Sequence, residues 1–561
     1  MSARRLFTQL SRVTGKACRA ALSPSPSKHS SECLKPLNTS KFNRIPPKPR
    51  RGVLLGALTS SSVIAVALGV QFQESKAALH EESKEAELSN SVPDIQKFRL
   101  AEVERHDGAS ENPWVTKGKS VYDITEWVGA HPGGEVILHA AGGSIDPYWN
   151  IFTIHKRQDV YDILEQYKIG EVDDVDLVDG QVPTKAIKDP FTTDPVPDER
   201  LHILTAKPCN AESPGEALSE FCTPNETFYV RNHMWVPSVE EQEHNLVIEL
   251  CDGTEKTYSM SDLRNRFKQH KVTATLQCAG NRRKDMTKHA RQTNGLQWTV
   301  GAISTAEWEG VKLRDVLADT GVNLNNPSPD DKHAQFLGLE AYGASIPLCK
   351  AIDPSGDVLL ALKMNGDTLP REHGFPLRVI VPGNVAARSV KWLRKVVISD
   401  EESTTQWQRR DYKSFGPNDT RPDWDAAKSI QEMPVTSAIT SILNGFAVAE
   451  GTEKGLNVEG YAYSGGGREI VRVDVSTDGG KTWDQAELLD DKAMGTKAWC
   501  WKRWRYALGE SAEGKTTLMV KATDEAYNTQ PQSYSSIYNA RGNLATAWHS
   551  VDIKSLDKGT D

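Results

Sequence analysis

Thr275-Leu276-Gln277-Cys278-Ala279-Gly280-Asn281-Arg282-Arg283 decides how the middle of this chain is read. The β-rich run Val272-Thr273-Ala274-Thr275-Leu276 predicts a strand that delivers Cys278 to its end. Gly280 and Asn281 then permit a tight turn, and the two arginines favour thiolate over thiol. On these facts alone Cys278 is either an anion-handling or metal-ligating cysteine or a buried packing residue. Around it, residues 200–430 alternate short β-rich runs (Phe228-Tyr229-Val230, Asn245 to Leu250) with helical patterns such as Ser261 to Phe267. That mixture predicts an α+β domain.

Three further segments of this domain are rich in donors and poor in carboxylates. They are Phe228-Tyr229-Val230-Arg231-Asn232-His233, Arg371 to Arg378, and Val381-Pro382-Gly383-Asn384 running on to Ser389-Val390-Lys391-Trp392-Leu393. Such polar, glycine-bearing loops at strand ends suit a polyanionic, phosphate-bearing ligand.

Beyond about Met433 the hydrophobic period becomes two. Val471, Val473 and Val475 alternate with polar residues before the turn Asp478-Gly479-Gly480, and Leu518, Val520 and Ala522 alternate likewise. The pattern predicts an immunoglobulin-like β-sandwich over 431–555, with Trp483, Trp499, Trp501 and Trp504 in its core or an interface.

In front of the α+β domain, residues 92–172 contain Val121-Tyr122-Asp123-Ile124-Thr125-Glu126-Trp127-Val128-Gly129-Ala130-His131-Pro132-Gly133-Gly134. A second histidine, His155, follows the aromatic run Tyr148 to Phe152. Two imidazoles facing each other across an apolar pocket could hold a haem iron from both sides and leave no site for oxygen; the alternative is two satisfied core histidines. Between the units, 173–199 is acidic and carries Pro183, Pro190, Pro195 and Pro197, which predicts a mobile tether or, alternatively, a loop packed on the next domain.

The chain has 561 residues, enough for several domains. A formal net charge of −8 excludes a whole-protein nucleic-acid footprint, so no nucleic-acid partner is expected. The charge is unevenly spread, because residues 1–51 are basic, rich in Ser and Pro, and nearly free of acid. This is the composition of a mitochondrial transit peptide. The uncharged run Gly52 to Val70 reads as a sorting segment that is cleaved to release the protein into the intermembrane space, or as a retained anchor. The eight cysteines include no CxxC pair, which excludes a zinc ribbon.

Taken together, the haem-like segment resembles cytochrome b5, and residues 200–430 resemble the molybdopterin domain of the sulfite oxidase family over its full length. The resemblance implies that His131 and His155 are axial ligands of a b-type haem, and that Cys278 supplies the one protein thiolate to molybdenum. Carried over residue by residue, Tyr229, Val230, Arg231, Asn232, His233, Glu340, His373, Arg378, Ser389, Val390 and Lys391 would hold the pterin and its phosphate. The family usually has a longer loop with Asp where Glu340 stands. Arg231, Arg283, Trp298, Tyr412 and Arg541 would form the substrate pocket, where three guanidiniums suit a small oxyanion such as sulfite or sulfate. The sandwich would serve homodimerisation and contribute Arg541.

The implied activity is oxidation of sulfite to sulfate at Mo-molybdopterin, with single electrons leaving through the haem to cytochrome c. Two rivals stand beside it. One is a nitrate reductase-like molybdoenzyme, in which the haem module would follow the molybdenum domain and a flavin domain would close the chain. The other is a b5-type electron carrier with a non-catalytic scaffold.

Overall fold

The computed structural model describes residues 95–553, apart from 129–130, 132–133, 157, 185–188, 340–341, 420–422, 447–454, 490–496 and 509–515. The basic leader 1–51 and the apolar segment 52–70 therefore lie outside the described residues. Among those described, no helix is long and apolar enough to cross a membrane.

The first module is a small five-stranded sheet in the order Lys97–Phe98, Lys168–Val172, Ser120–Asp123, Trp114–Lys117, Gly143–Ser144. Its helical elements, Gly134–Ala140, Asp146–Ile151, Thr153–Lys156 and Gln158–Glu165, fall between the strands Ser120–Asp123 and Lys168–Val172. Two apolar clusters fill the module, one around Val115, Tyr122, Ile124 and Trp149 and the other around Phe98, Val103, Val121 and Val172.

The 173–199 segment is anchored at both ends. At its start, Asp176 accepts a forked pair of hydrogen bonds from Arg99, and Val182 joins the Phe98 cluster. At its end, Phe191 is buried, its ring packs edge-on against Phe152 at 5.2 Å and Trp235 at 6.2 Å, and Asp194 accepts from the Val236 N–H. Both ends of the segment are thus packed on their neighbours. Asp189 in this segment pairs with Lys207.

The second domain is built on two five-stranded sheets and a three-stranded one. The sheet that matters most for the site contains Gln269–Gln277, Ile303–Lys312, Leu359–Met364, Asp367–Thr368 and Arg378–Ile380. Gln269–Gln277 pairs with Ile303–Lys312 along its whole length, so the strand that ends at Cys278 is held rigidly. The expected helix runs over Met260–Asn265 and is started by a capping box, in which Ser259 and Asp262 satisfy each other's backbone N–H groups.

The third unit is a sandwich of two four-stranded sheets. Thr436–Phe446, Gly455–Tyr463, Lys502–Leu508 and Glu487–Leu488 form one, and Asp484–Gln485, Ile470–Ser476, Thr516–Asp524 and His549–Ile553 form the other. Their inner faces share one core that includes Val458, Val473, Val475, Trp504, Leu518 and Val520. Val471 departs from the expected alternation: it is 45% exposed while Val473 and Val475 are fully buried. A register shift between Ile470 and Arg472 breaks the period there. Trp499 and Trp501 leave the sandwich core and pack into the hydrophobic clusters of the second domain instead.

Candidate active site and haem crevice

In the first module the rings of His131 and His155 are 6.3 Å apart between centroids. Two imidazole nitrogens each about 2.0 Å from a shared metal would leave their ring centres roughly 6 Å apart, so the spacing fits an iron between them. Trp149 stacks on His155 at 4.8 Å. Burial pushes His155 down to about 4, which keeps it in the neutral form that ligates metal. Its Nδ1 is buried without a hydrogen-bond partner. These features fit a haem.

The second domain carries a cleft among its strand ends and loops. Tyr229, Arg231, Asn232, His233, Cys278, His373, Arg378, Ser389, Val390, Lys391 and Tyr412 all line it. Cys278 stands at its wall because the long strand ends there, and the Gly280 N–H points at the sulfur at 3.4 Å. No carboxylate is among the described lining residues, whereas Arg231, Arg378 and Lys391 are.

Arg378 is the most telling of these. It is buried, it donates to the carbonyls of His373 and Ser389, and its Nε has no partner. Burial lowers it to about 10, with no carboxylate offsetting the cost. The Asn232 Nδ2 is likewise buried and unpartnered. A buried guanidinium and an orphaned amide in a cationic cleft fit a phosphate-bearing pterin.

At the opposite wall the Tyr412 hydroxyl lies 3.2 Å from His233 Nε2. Burial, with the charges of Arg231, Lys391 and Arg541 behind it, pushes His233 well below its ordinary value. Burial raises Tyr412, so both groups are neutral. Tyr412 closes a π-helical turn, Trp407–Asp411, a local irregularity frequent at functional sites.

Four expected site residues stand outside the lining. Val230 faces a small core with Leu201, Cys209 and Ala211. Trp298 packs behind Cys278. Arg283 donates to Arg541 O, Leu296 O and Asn543 Oδ1, although Cys278, Tyr412 and Arg231 are near enough for their charges to act on it. Arg541 is paired with Asp411. Of the three expected guanidiniums, only Arg231 lines the cleft. Glu340 lies outside the described residues.

Sequence reasoning missed Tyr342, whose ring stacks on His233 at 4.7 Å, and Arg388. Arg388 is fully buried and donates to the carbonyls of Tyr412 and Ile430, so it positions the tyrosine without touching the cleft. Its place directly before Ser389-Val390-Lys391 was the available signal.

The comparisons agree with this architecture. Residues 99–173 match the cytochrome b5-like heme/steroid binding domain, 233–407 the oxidoreductase molybdopterin binding domain, and 427–556 the Mo-co oxidoreductase dimerisation domain. The chain is 47% identical to the sulfite oxidase of Gallus gallus, over 82% of this chain and 100% of that one. It is 45% identical to the mitochondrial sulfite oxidase of Homo sapiens, over 81% and 84%. Among solved structures it resembles the sulfane dehydrogenase SoxCD of Paracoccus pantotrophus, with a TM-score of 0.53 and 26% identity over 66% of this chain and 93% of that one. The chain belongs to the sulfite oxidase family, with a cytochrome b5-like haem domain ahead of its molybdopterin and dimerisation domains.

Proposed function

We propose that this protein oxidises sulfite to sulfate and passes the electrons singly through its haem module to cytochrome c, as a homodimer in the mitochondrial intermembrane space. The cationic cleft around Cys278, with no carboxylate among its described lining residues, carries this reading, because it suits both a dianionic substrate and a phosphate-bearing cofactor. Held by Cys278 and the cleft, molybdopterin supplies a two-electron, oxygen-transferring centre, and haem between His131 and His155 supplies a one-electron carrier.

Arg378, His373, Ser389 and Lys391 form the end of the cleft that would take the phosphate, Arg378 through its unpartnered Nε. Arg231 donates to Asn210 Oδ1, which fixes its guanidinium at the lining, where its charge attracts the substrate anion. Tyr412 retains its proton on Oη and can donate it in a hydrogen bond to a substrate oxygen, while neutral His233 adds no competing charge. Arg283 and Arg541 stand behind this wall and act on an anion through their charge, with Trp298 packing behind Cys278.

The basic, acid-poor leader and the mitochondrial designation of relatives such as the human protein support a mitochondrial location. Beyond residue 51 acids outnumber bases, and this net negative charge would attract a basic cytochrome c. The test is metal analysis and an absorption spectrum of the purified protein, followed by a sulfite-dependent cytochrome c reduction assay. One molybdenum and one b-type haem per chain, with sulfite-dependent reduction, are expected. A fully loaded protein that leaves cytochrome c oxidised in the presence of sulfite overturns the reading.

A further inference from the structure

The two adjacent arginines of the Cys278 turn have different partners. Arg283 lies close behind the cleft, whereas Arg282 is fully buried and faces the C-terminal sandwich. Its Nη1 donates to Ser437 O at 2.9 Å, its Nη2 donates to Ala547 O at 2.7 Å and to the Tyr534 hydroxyl, and its Nε donates to Asp285 at 3.3 Å. The guanidinium also lies 5.7 Å from the Tyr534 ring. Arg282 has φ = 63°, a left-handed conformation that a non-glycine residue keeps only where its surroundings over-determine it.

The rest of the turn is held from the same side. Leu544 N–H donates to Ala279 O at 2.8 Å, Asn281 Nδ2 donates to the Tyr461 hydroxyl at 2.9 Å, and Arg283 donates to Arg541 O and Asn543 Oδ1. At Gly280 a Cβ would meet the Arg283 guanidinium at 2.6 Å. The loop that carries the thiol thus rests on residues of the sandwich domain.

We propose that Arg282 is a positioning residue, whose fork locks the Cys278 turn onto the C-terminal domain and so sets where the thiol stands in the cleft. The dimerisation domain is then half of the scaffold of the active site, in addition to any subunit contact it makes. This inference deepens the proposed function and rests on Cys278 being the metal ligand.

The first test needs no cofactor. In the full-length, cofactor-free protein, the rate of alkylation by iodoacetamide is followed at Cys278 and at Cys209 by peptide mapping. Both are buried, but Cys209 lies in a separate small cluster. Arg282→Gln should accelerate Cys278 on the order of tenfold, as expected for one lost charge-assisted hydrogen bond, and leave Cys209 unchanged. Equal acceleration at both sites means general loosening, and no change at either means that the fork is idle; each result overturns the proposal.

In the loaded enzyme, Arg282→Gln should lower kcat with KM for sulfite little changed, while the haem spectrum and the dimer persist. A raised KM at unchanged kcat would instead make Arg282 an anion contact and overturn the positioning role. If Arg282→Gln does not fold, Tyr534→Phe removes only one partner of the fork, and parental alkylation at Cys278 in that variant overturns the proposal. Cys278→Ser tests the underlying reading separately: metal-dependent turnover in that variant refutes the ligand assignment, and the alkylation result is unaffected by it.

Discussion

The haem crevice and the molybdopterin cleft are built in opposite ways. The crevice draws both histidines from one continuous run, with the His131 and His155 rings 6.3 Å apart and tilted by 43°, and its distinguishing property is a neutral, desolvated imidazole. The cleft gathers strand ends and loops from Phe228 to Tyr412, and its distinguishing property is buried positive charge with no carboxylate among its described lining residues. A one-electron carrier needs only two axial ligands held on a small fold. A centre that binds an anionic cofactor and an anionic substrate needs a surface with many donors, which only long-range folding assembles.

The sharpest way to break this comparison is to remove the ligand of one site and watch the other. Cys278→Ser should abolish sulfite oxidation while the haem absorption stays parental. A shifted haem spectrum would show that the two sites are not independent.

The reverse experiment is His155→Ala. It should eliminate the b-type haem and with it cytochrome c reduction, and leave sulfite-driven reduction of an artificial acceptor that reaches the cleft directly. Loss of both activities would mean that His155 supports folding more than electron relay.

This division also explains what could be read from the sequence. His131 and His155 were legible because both belong to one short segment. Cys278 was legible because its strand and turn are consecutive in the chain. Tyr342 and Arg388 were not, because their roles arise from contacts with His233 and Tyr412, which are remote in sequence. Arg282 and Arg283 looked equivalent for the same reason: the sandwich residues that take up Arg282 lie more than 150 positions downstream. The alternation around Val471 misled locally, since a bulge is a pairing property and leaves no mark on composition. The segment between the haem module and the second domain left both a tether and a packed loop open, because its acidic residues and prolines do not reveal that Phe191 packs against Phe152 and Trp235.

Arg378 tests the charge half of the comparison. Arg378→Gln removes the buried guanidinium and with it the charge-assisted contact proposed to the cofactor, worth about 1.5–3 kcal/mol. Cofactor affinity should therefore fall roughly 10- to 150-fold, read as molybdenum retained per chain after dialysis, with haem content unchanged. Full retention would place the phosphate elsewhere.

The smallest effect concerns the seam that supports the cleft. His549 accepts the Ile439 N–H through Nδ1 at 3.0 Å, and its Nε2 lies 3.8 Å from Asp285. Burial, reinforced by Arg282, His289 and Lys288 and opposed by Asp285, pushes it down to about 3 from an ordinary 6.5. The folded protein thus keeps His549 neutral while the unfolded chain protonates it, so its contribution to stability is complete above pH 6.5 and declines as the pH falls from there towards 3. One such proton changes the slope by at most about 1.4 kcal/mol per pH unit. His549→Gln keeps an acceptor for Ile439 and has no proton to gain. The variant should therefore lose thermal stability less steeply than the parent between pH 7 and 5, values chosen to bracket about 6.5, in melts followed by circular dichroism. The haem band should not distinguish the two proteins across that interval, because His549 lies outside the haem module. Parallel slopes would mean that His549 takes up its proton as readily in the folded protein as in the unfolded chain.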